Sequence, residues 1–160
     1  MLTPHVPKVI EYNCRFGAPG TRVVLPRLGS DLLAGMQAAT NGTLAQTEVK
    51  FSGQSAACVV LASGGYPQHY EKGKPITGLA DGQLPGGGAT VYHAGTALAD
   101  NVLVTSGGRV LGVTAVADSP FDALAAAYGA ADPIGFEGLH RRPGLRPQAL
   151  AAPRHPGWQR

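Results

Sequence analysis

The sequence is short of charged residues, of cysteine and of long apolar runs, and each shortage excludes a class of protein. Charged residues make up 14% of the 160 positions and apolar residues 44%, which excludes a disordered polyelectrolyte. No run is long enough for a signal peptide or a membrane span, so we expect a cytoplasmic protein. The two cysteines, Cys14 and Cys58, lack metal-ligand spacing, and we expect both to be buried free thiols.

Acidic residues are absent after Glu137, so the net charge of +3 combines two parts of opposite charge. Residues 1–137 carry 8 basic and 10 acidic side chains, a net charge of −2, whereas the remaining residues carry five arginines. This tail has one aromatic residue, Trp158, and four prolines. Its composition is typical of a solvated tail. The alternative, nucleic-acid binding, would depend on the tail alone and would show a salt-dependent affinity that disappears when the tail is removed.

Glycine and proline are abundant by contrast, with 23 and 13 residues, which favours short strands and many turns over a helical bundle. Alternating residues predict a strand at 8–16, and residues 21–28 are predicted to be extended or irregular. Ser30 is the predicted N-cap of a helix that stops at Asn41-Gly42.

The second half predicts a small sheet and one helix. Strands are predicted at 57–63, 90–93, 102–105 and 109–116, and Ser106-Gly107-Gly108 is predicted to join the last two as a hairpin. Ser119 is the predicted cap of a helix that ends before Pro133. The fold class is therefore predicted to be α+β, with an N-terminal strand and helix followed by a small antiparallel sheet or barrel packed by one helix.

Three polar residues of the first predicted strand are candidates for chemistry. Glu11, Asn13 and Arg15 are spaced by two, so a strand would point their side chains to the same side. A carboxylate and an amide oxygen can both reach one Mg²⁺, and an arginine beside them can hold a phosphate bidentately. Spacing alone leaves open that these residues are only the solvated face of a strand.

The same segment, VIEYNCRFG followed by VVLPRLGSDLL, resembles the last active-site strand and following helix of phosphoribosylamine–glycine ligases, which belong to the ATP-grasp superfamily. Four further blocks resemble the C-terminal domain of this family in the same order: CVVLASGGYP, YEKGKPITGL, VYHAGTAL and LVTSGGRVLGVTAV. The resemblance extends from about Lys8 to Leu139. It implies an ATP-grasp remnant at 1–50 and the C-terminal domain at 51–139. The remaining residues, 140–160, are expected to be a basic, disordered tail.

The resemblance also implies an activity and its site. Enzymes of this family use ATP to join glycine to 5-phosphoribosylamine through an acyl phosphate, and release glycinamide ribonucleotide, ADP and phosphate. By resemblance, Glu11 and Asn13 are ligands of Mg²⁺ or Mn²⁺, and Arg15 faces a phosphate. We assign no catalytic residue.

The sequence departs from the family pattern in two ways. The pattern has two acids around a proline after RFG, where this chain has Ala18 and Gly20. The 160 residues also do not include the upstream substrate-binding and ATP-binding parts of the family. We therefore expect the chain alone to be inactive, with a separately encoded N-terminal part as a candidate partner. We also expect an unpacked apolar surface around Val9 and residues 23–25. The alternative is a non-catalytic binding module.

Other polar positions are better explained by structure than by catalysis. Gly64-Gly65-Tyr66-Pro67 lacks a phosphate-loop lysine and is predicted to be a strand-ending turn. Lys72 and Lys74 could meet a sugar phosphate but are typical of solvated lysines. His93 is predicted to be structural, and a surface or domain-contact role suffices for Arg109.

Overall fold

The computed structural model describes residue 6 and residues 8–143, so the basic tail predicted at 140–160 falls largely outside the described residues. Within these described residues, three helices and six strands make up the regular structure. Two 3₁₀ turns, Leu25–Arg27 and Leu44–Gln46, supplement them. The helices are α1 (Thr21–Val24), α2 (Leu32–Asn41) and α3 (Pro120–Ala131). The strands are β1 (Ser55–Ser63), β2 (Thr90–His93), β3 (Thr96–Ala99), β4 (Val102–Thr105), β5 (Arg109–Ala117) and β6 (Leu139–His140).

The main sheet is antiparallel, in the order β2-β5-β1-β6. Its central strands β1 and β5 pair from Ser55↔Ala117 to Ala62↔Arg109, with one register shift after Leu61. Both strands are near-continuous apolar runs, as expected of strands that are covered on both faces. The α+β class predicted from the sequence is confirmed.

Helix α3 covers one face of this sheet and completes the core. Small residues on the helix let it approach the strands closely, and the core includes Val59, Leu61, Leu111, Val113, Ala127 and Ala131. The predicted cap is confirmed, because the Ser119 Oγ accepts a hydrogen bond from the Asp122 amide at 3.1 Å. No helix among the described residues is long and apolar enough to cross a membrane.

The predicted hairpin between β4 and β5 is wrong. Strand β4 pairs instead with β3, a strand that was not predicted, and the two form a separate two-stranded sheet. Asp100 and Asn101 make the turn between them, with φ of 48° and 61°, the left-handed backbone that two-residue hairpins require. Residues 106–108 pass the chain to the main sheet, where β5 pairs with β1 and β2.

The predicted strand at 8–16 is not formed. Residues 8–16 have no strand assignment, and no described strand pairs with them. Both supposed faces are solvent-accessible, since Val9, Ile10 and Tyr12 are 66%, 73% and 80% exposed. A strand needs a hydrogen-bonded neighbour to be stable, and the described residues offer none. Cys14 is therefore exposed, contrary to prediction, and Cys58 is half-buried; both are free thiols.

The segment from 21 to 42 also differs in detail from its prediction. Residues 21–27 form α1 and a 3₁₀ turn where an extended or irregular chain was expected. The N-cap of α2 is Asp31, whose Oδ1 accepts from the Ala34 amide at 2.8 Å, whereas the Ser30 Oγ accepts from the Lys50 amide. The helix ends at Gly42 in the left-handed conformation, as predicted.

Candidate functional site

The polar trio, which we define as Glu11, Asn13 and Arg15, lies on one side of the N-terminal segment. The Asn13 Nδ2 donates to the Glu11 Oε1 at 3.3 Å, and the Arg15 Nη2 donates to the Asn13 Oδ1 at 3.1 Å. All three residues are exposed. The structure therefore brings the predicted site residues together even though the segment does not pair as a strand.

The trio offers oxygen donors of the kind that Mg²⁺ prefers, but it is only part of a metal site. The Asn13 Oδ1 faces Arg15, so the amide would have to turn for its oxygen and the Glu11 carboxylate to meet one ion. Two protein ligands leave about four of the six octahedral positions to phosphates, waters or other groups. No group of three or more acidic, histidine or cysteine residues suited to a metal occurs in the described part of the chain.

A cavity of about 460 Å³ opens beside the trio. Ala18 and Gly20, the positions where the resemblance implies acids, both line it. None of the lining residues is acidic: Asn13, Arg15, Phe16, Gly17, Ala18, Gly20, Thr21, Val24 and Leu25. The cavity therefore combines a cationic side chain with apolar walls, which suits an anionic group better than a cation.

The loop at 17–20 joins the trio to α1 and is held from both sides. Locally, the Gly17 amide donates to the Thr21 Oγ1 and the Thr21 amide donates to the Gly17 carbonyl, both at 2.8 Å. From the main sheet, the Arg109 Nη1 donates to the Ala18 carbonyl at 3.0 Å. The Arg15 guanidinium lies against Gly17, since a Cβ there would be 2.4 Å from its Nη1.

An apolar groove of about 350 Å³ lies between α2 and the segments that flank it. Its walls include Phe16, Val24, Leu25, Leu28, Leu32, Met36, Leu44, Val49 and Phe51. The expected apolar surface is present: Val9 and Val24 are exposed, and residues 23 and 25 are half-buried. A groove of this composition is typical of a surface that packs against another protein part.

A second polar cluster lies at the end of β1, in a cavity of about 300 Å³. The Lys74 Nζ lies 2.6 Å from the Glu71 Oε2 and 3.0 Å from the Glu137 Oε2. The hydrogen bond with Lys74 lowers the pKa of Glu71, and the hydrogen bonds with both carboxylates raise the pKa of Lys74. Lys74 is thus paired, while Lys72 is exposed.

The remaining predicted positions have structural contacts. Both ring nitrogens of His93 are engaged, Nδ1 with the Thr96 Oγ1 and Nε2 with the Gly82 carbonyl, each at 2.9 Å. Residues 64–67 form a turn after β1, in which the Tyr66 amide donates to the Ser63 carbonyl. These contacts leave the trio and its cavity as the candidate site.

Comparisons with a family model and with individual known proteins point to the same family. Residues 56–144 match the family described as phosphoribosylglycinamide synthetase, C domain. The chain is 44% identical over 142 residues to phosphoribosylamine–glycine ligase of Caldanaerobacter subterraneus, covering 89% of this chain and 33% of that protein. It is 45% identical over 152 residues to the trifunctional purine biosynthetic protein adenosine-3 of Gallus gallus, covering 94% of this chain and 15% of that protein.

A solved structure supports the same similarity. The crystal structure of phosphoribosylamine–glycine ligase from Thermotoga maritima superimposes with a TM-score of 0.69 at 35% identity, covering 89% of this chain and 34% of that one. The chain thus spans about one third of the length of the single-function ligases that it matches.

Proposed function

Because the chain belongs to the phosphoribosylglycinamide synthetase C-domain family, we propose that it forms the C-terminal part of an ATP-dependent phosphoribosylamine–glycine ligase of purine biosynthesis. One observation carries the proposal: the similarity to ligases of that name covers up to 94% of the chain, so it extends beyond residues 56–144 into the N-terminal segment that bears the trio. The substrates would be ATP, glycine and 5-phosphoribosylamine, and the products glycinamide ribonucleotide, ADP and phosphate.

Within this function, the trio would form one wall of the nucleotide site. Glu11 and Asn13 would hold Mg²⁺ or Mn²⁺, and the Arg15 guanidinium would face a phosphate, as their shared orientation permits. The divalent ion, when bound, would offset the negative charge on the nucleotide phosphates. Arg15 would act on the same charge from the protein side, because a guanidinium matches the geometry of phosphate oxygens.

We propose that the remaining walls come from an upstream part, either in the same polypeptide or as a separate chain. The trio is exposed and supplies about two ligands, which is too few for tight Mg–ATP binding. The apolar groove beside it offers the surface on which such a part would pack. The described chain alone would then be inactive.

The test is reconstitution. The chain would be mixed with the upstream two thirds of the Caldanaerobacter ligase, and phosphate release would be measured with and without glycine and phosphoribosylamine. We expect activity that depends on both substrates and falls about 100-fold or more in Glu11→Gln, which keeps the shape but removes the charge. The matched control is Asp118→Asn, an exposed acid that accepts a hydrogen bond from Gln54. A stable complex without activity would count against the proposal.

A non-catalytic binding module is the second candidate, and the cavity without acids favours it. Titration calorimetry of Mg–ATP with the chain alone is one test, since we expect no saturable heat from so open a site. The double substitution Ala18→Asp with Gly20→Glu is another. Gly20 has a right-handed helical backbone, and an added Cβ would approach only the Gly17 carbonyl, at 3.7 Å. Higher activity of the double variant in the reconstituted complex would favour a ligase weakened by the loss of two carboxylates.

A further inference from the structure

Arg109 connects two parts of the molecule that are far apart in sequence. It begins β5 and pairs with Ala62 of β1, and the next two residues of the strand, Val110 and Leu111, are fully buried. Its backbone is therefore fixed to the core. Its side chain reaches a backbone carbonyl of the 17–20 loop, at Ala18, across 91 residues of sequence.

From these contacts we propose that Arg109 is a positioning residue for the nucleotide wall formed by the trio. The contacts form a continuous path. Arg109 donates to the Ala18 carbonyl, the Arg15 guanidinium lies against the adjoining Gly17, and Arg15 donates to the Asn13 amide oxygen. The main sheet would thus set the place of the phosphate-facing arginine without touching the nucleotide. This inference rests on the proposed function.

The composition of the loop explains why an external hold matters. Residues 17–20 are Gly-Ala-Pro-Gly, so none of them has a side chain that can donate or accept a hydrogen bond. The loop must be positioned through its backbone carbonyls and amides, and a guanidinium is a strong donor to a carbonyl. Displacing a substrate-contacting group by about 1 Å can lower the reaction rate up to about 100-fold. Loss of the single hydrogen bond that positions the loop could therefore lower the rate measurably.

The first test needs only the full chain. In Arg109→Met, which keeps length but removes the donors, we expect hydrogen–deuterium exchange of the amides at residues 15–21 to rise about tenfold, the equivalent of one lost hydrogen bond. Arg109→Lys should restore part of the protection. Arg141→Met is the control, because Arg141 pairs with Asp132 at the end of α3. Unchanged exchange at 15–21 in Arg109→Met would overturn the anchoring role whether or not the chain takes part in a ligase.

The second test uses the reconstituted complex and asks whether Arg109 acts through Arg15. We expect Arg109→Met to raise the KM for ATP about tenfold and to leave the KM for glycine unchanged. In an Arg15→Met background the same substitution should add less than about twofold, because residues that act in series are not additive. Fully additive effects would overturn the inference. If Arg15→Met itself leaves the KM for ATP unchanged, the proposed nucleotide site fails, and the exchange result still decides the anchoring.

Discussion

Two buried threonines of the strands provide a matched test of the hydrogen-bond pattern. Thr114 on β5 is 2% exposed, and its hydroxyl has no hydrogen-bond partner among the described residues. Thr105 on β4 is 1% exposed, and its Oγ1 accepts from the Lys74 amide at 3.1 Å. Substitution by valine keeps the branched shape and exchanges the hydroxyl for a methyl group at either position.

The two substitutions should change the free energy of unfolding in opposite directions. A buried hydroxyl without a partner costs about 1–3 kcal/mol, so Thr114→Val should stabilise the protein by about 1 kcal/mol and raise Tm by about 2–4 °C. Thr105→Val leaves the Lys74 amide unpaired and should destabilise by about 1–3 kcal/mol.

Urea denaturation at 25 °C, followed by circular dichroism, gives both values, with an unchanged m-value as the sign that the unfolding transition is comparable. If Thr114→Val lowers stability as much as Thr105→Val does, then the Thr114 hydroxyl has a partner in solution, such as a bound water, and the reasoning is refuted.

Two further predictions concern backbone space and pH. Gly78→Ala should destabilise the protein by about 2 kcal/mol or more, because the φ of Gly78 is +83° and a Cβ would be 2.0 Å from the Pro133 carbonyl oxygen. Gly35→Ala in α2 should stabilise the protein by about 1 kcal/mol, because a Cβ there meets nothing within 4 Å. Thermal melts of the two variants measure both effects. The Glu71–Lys74 pair should stabilise the protein between pH 4.5 and pH 10.5, the usual pKa values of Glu and Lys, because the pKa of Glu71 is lowered and that of Lys74 is raised. This stability should be lost as the pH falls below 4.5 or rises above 10.5. An NMR titration of the Glu71 carboxyl with a midpoint at 4.5 would contradict the prediction.

The elements that the sequence predicted correctly are those with local signals. The Ser119 cap, the Gly42 stop and the apolar runs of β1 and β5 each depend on residues within one turn or one strand. The hairpin prediction failed because β5 pairs with β1 and β2, of which β1 is distant in sequence, whereas β4 pairs with β3 across the Asp100-Asn101 turn. The Asp100-Asn101 pair was a local signal for the β3–β4 turn, since these residue types tolerate the left-handed backbone that both adopt.

In the candidate site, too, the features with a local sequence signal were predicted and those that depend on distant partners were not. Alternation predicted that the three side chains of the trio face one way, and hydrogen bonds from Asn13 to Glu11 and from Arg15 to Asn13 link them on one side of the segment. The strand itself could not be predicted reliably, since its pairing depends on groups that the described residues do not supply. The bond from Arg109 to Ala18 had no signal at all, because it joins an unremarkable arginine to a backbone carbonyl.

The distribution of the core has a consequence for how the chain can move. Every residue of the main buried cluster lies between Val59 and Ile134, so the described residues before β1 contribute nothing to that cluster. Opening of residues 8–50 would leave that cluster intact and would cost the free energy of their contacts with one another and with β1 and β5, so we expect it to cost less than global unfolding. A ligand or neighbour that selects one conformation of residues 8–50 would therefore leave the main buried cluster undisturbed.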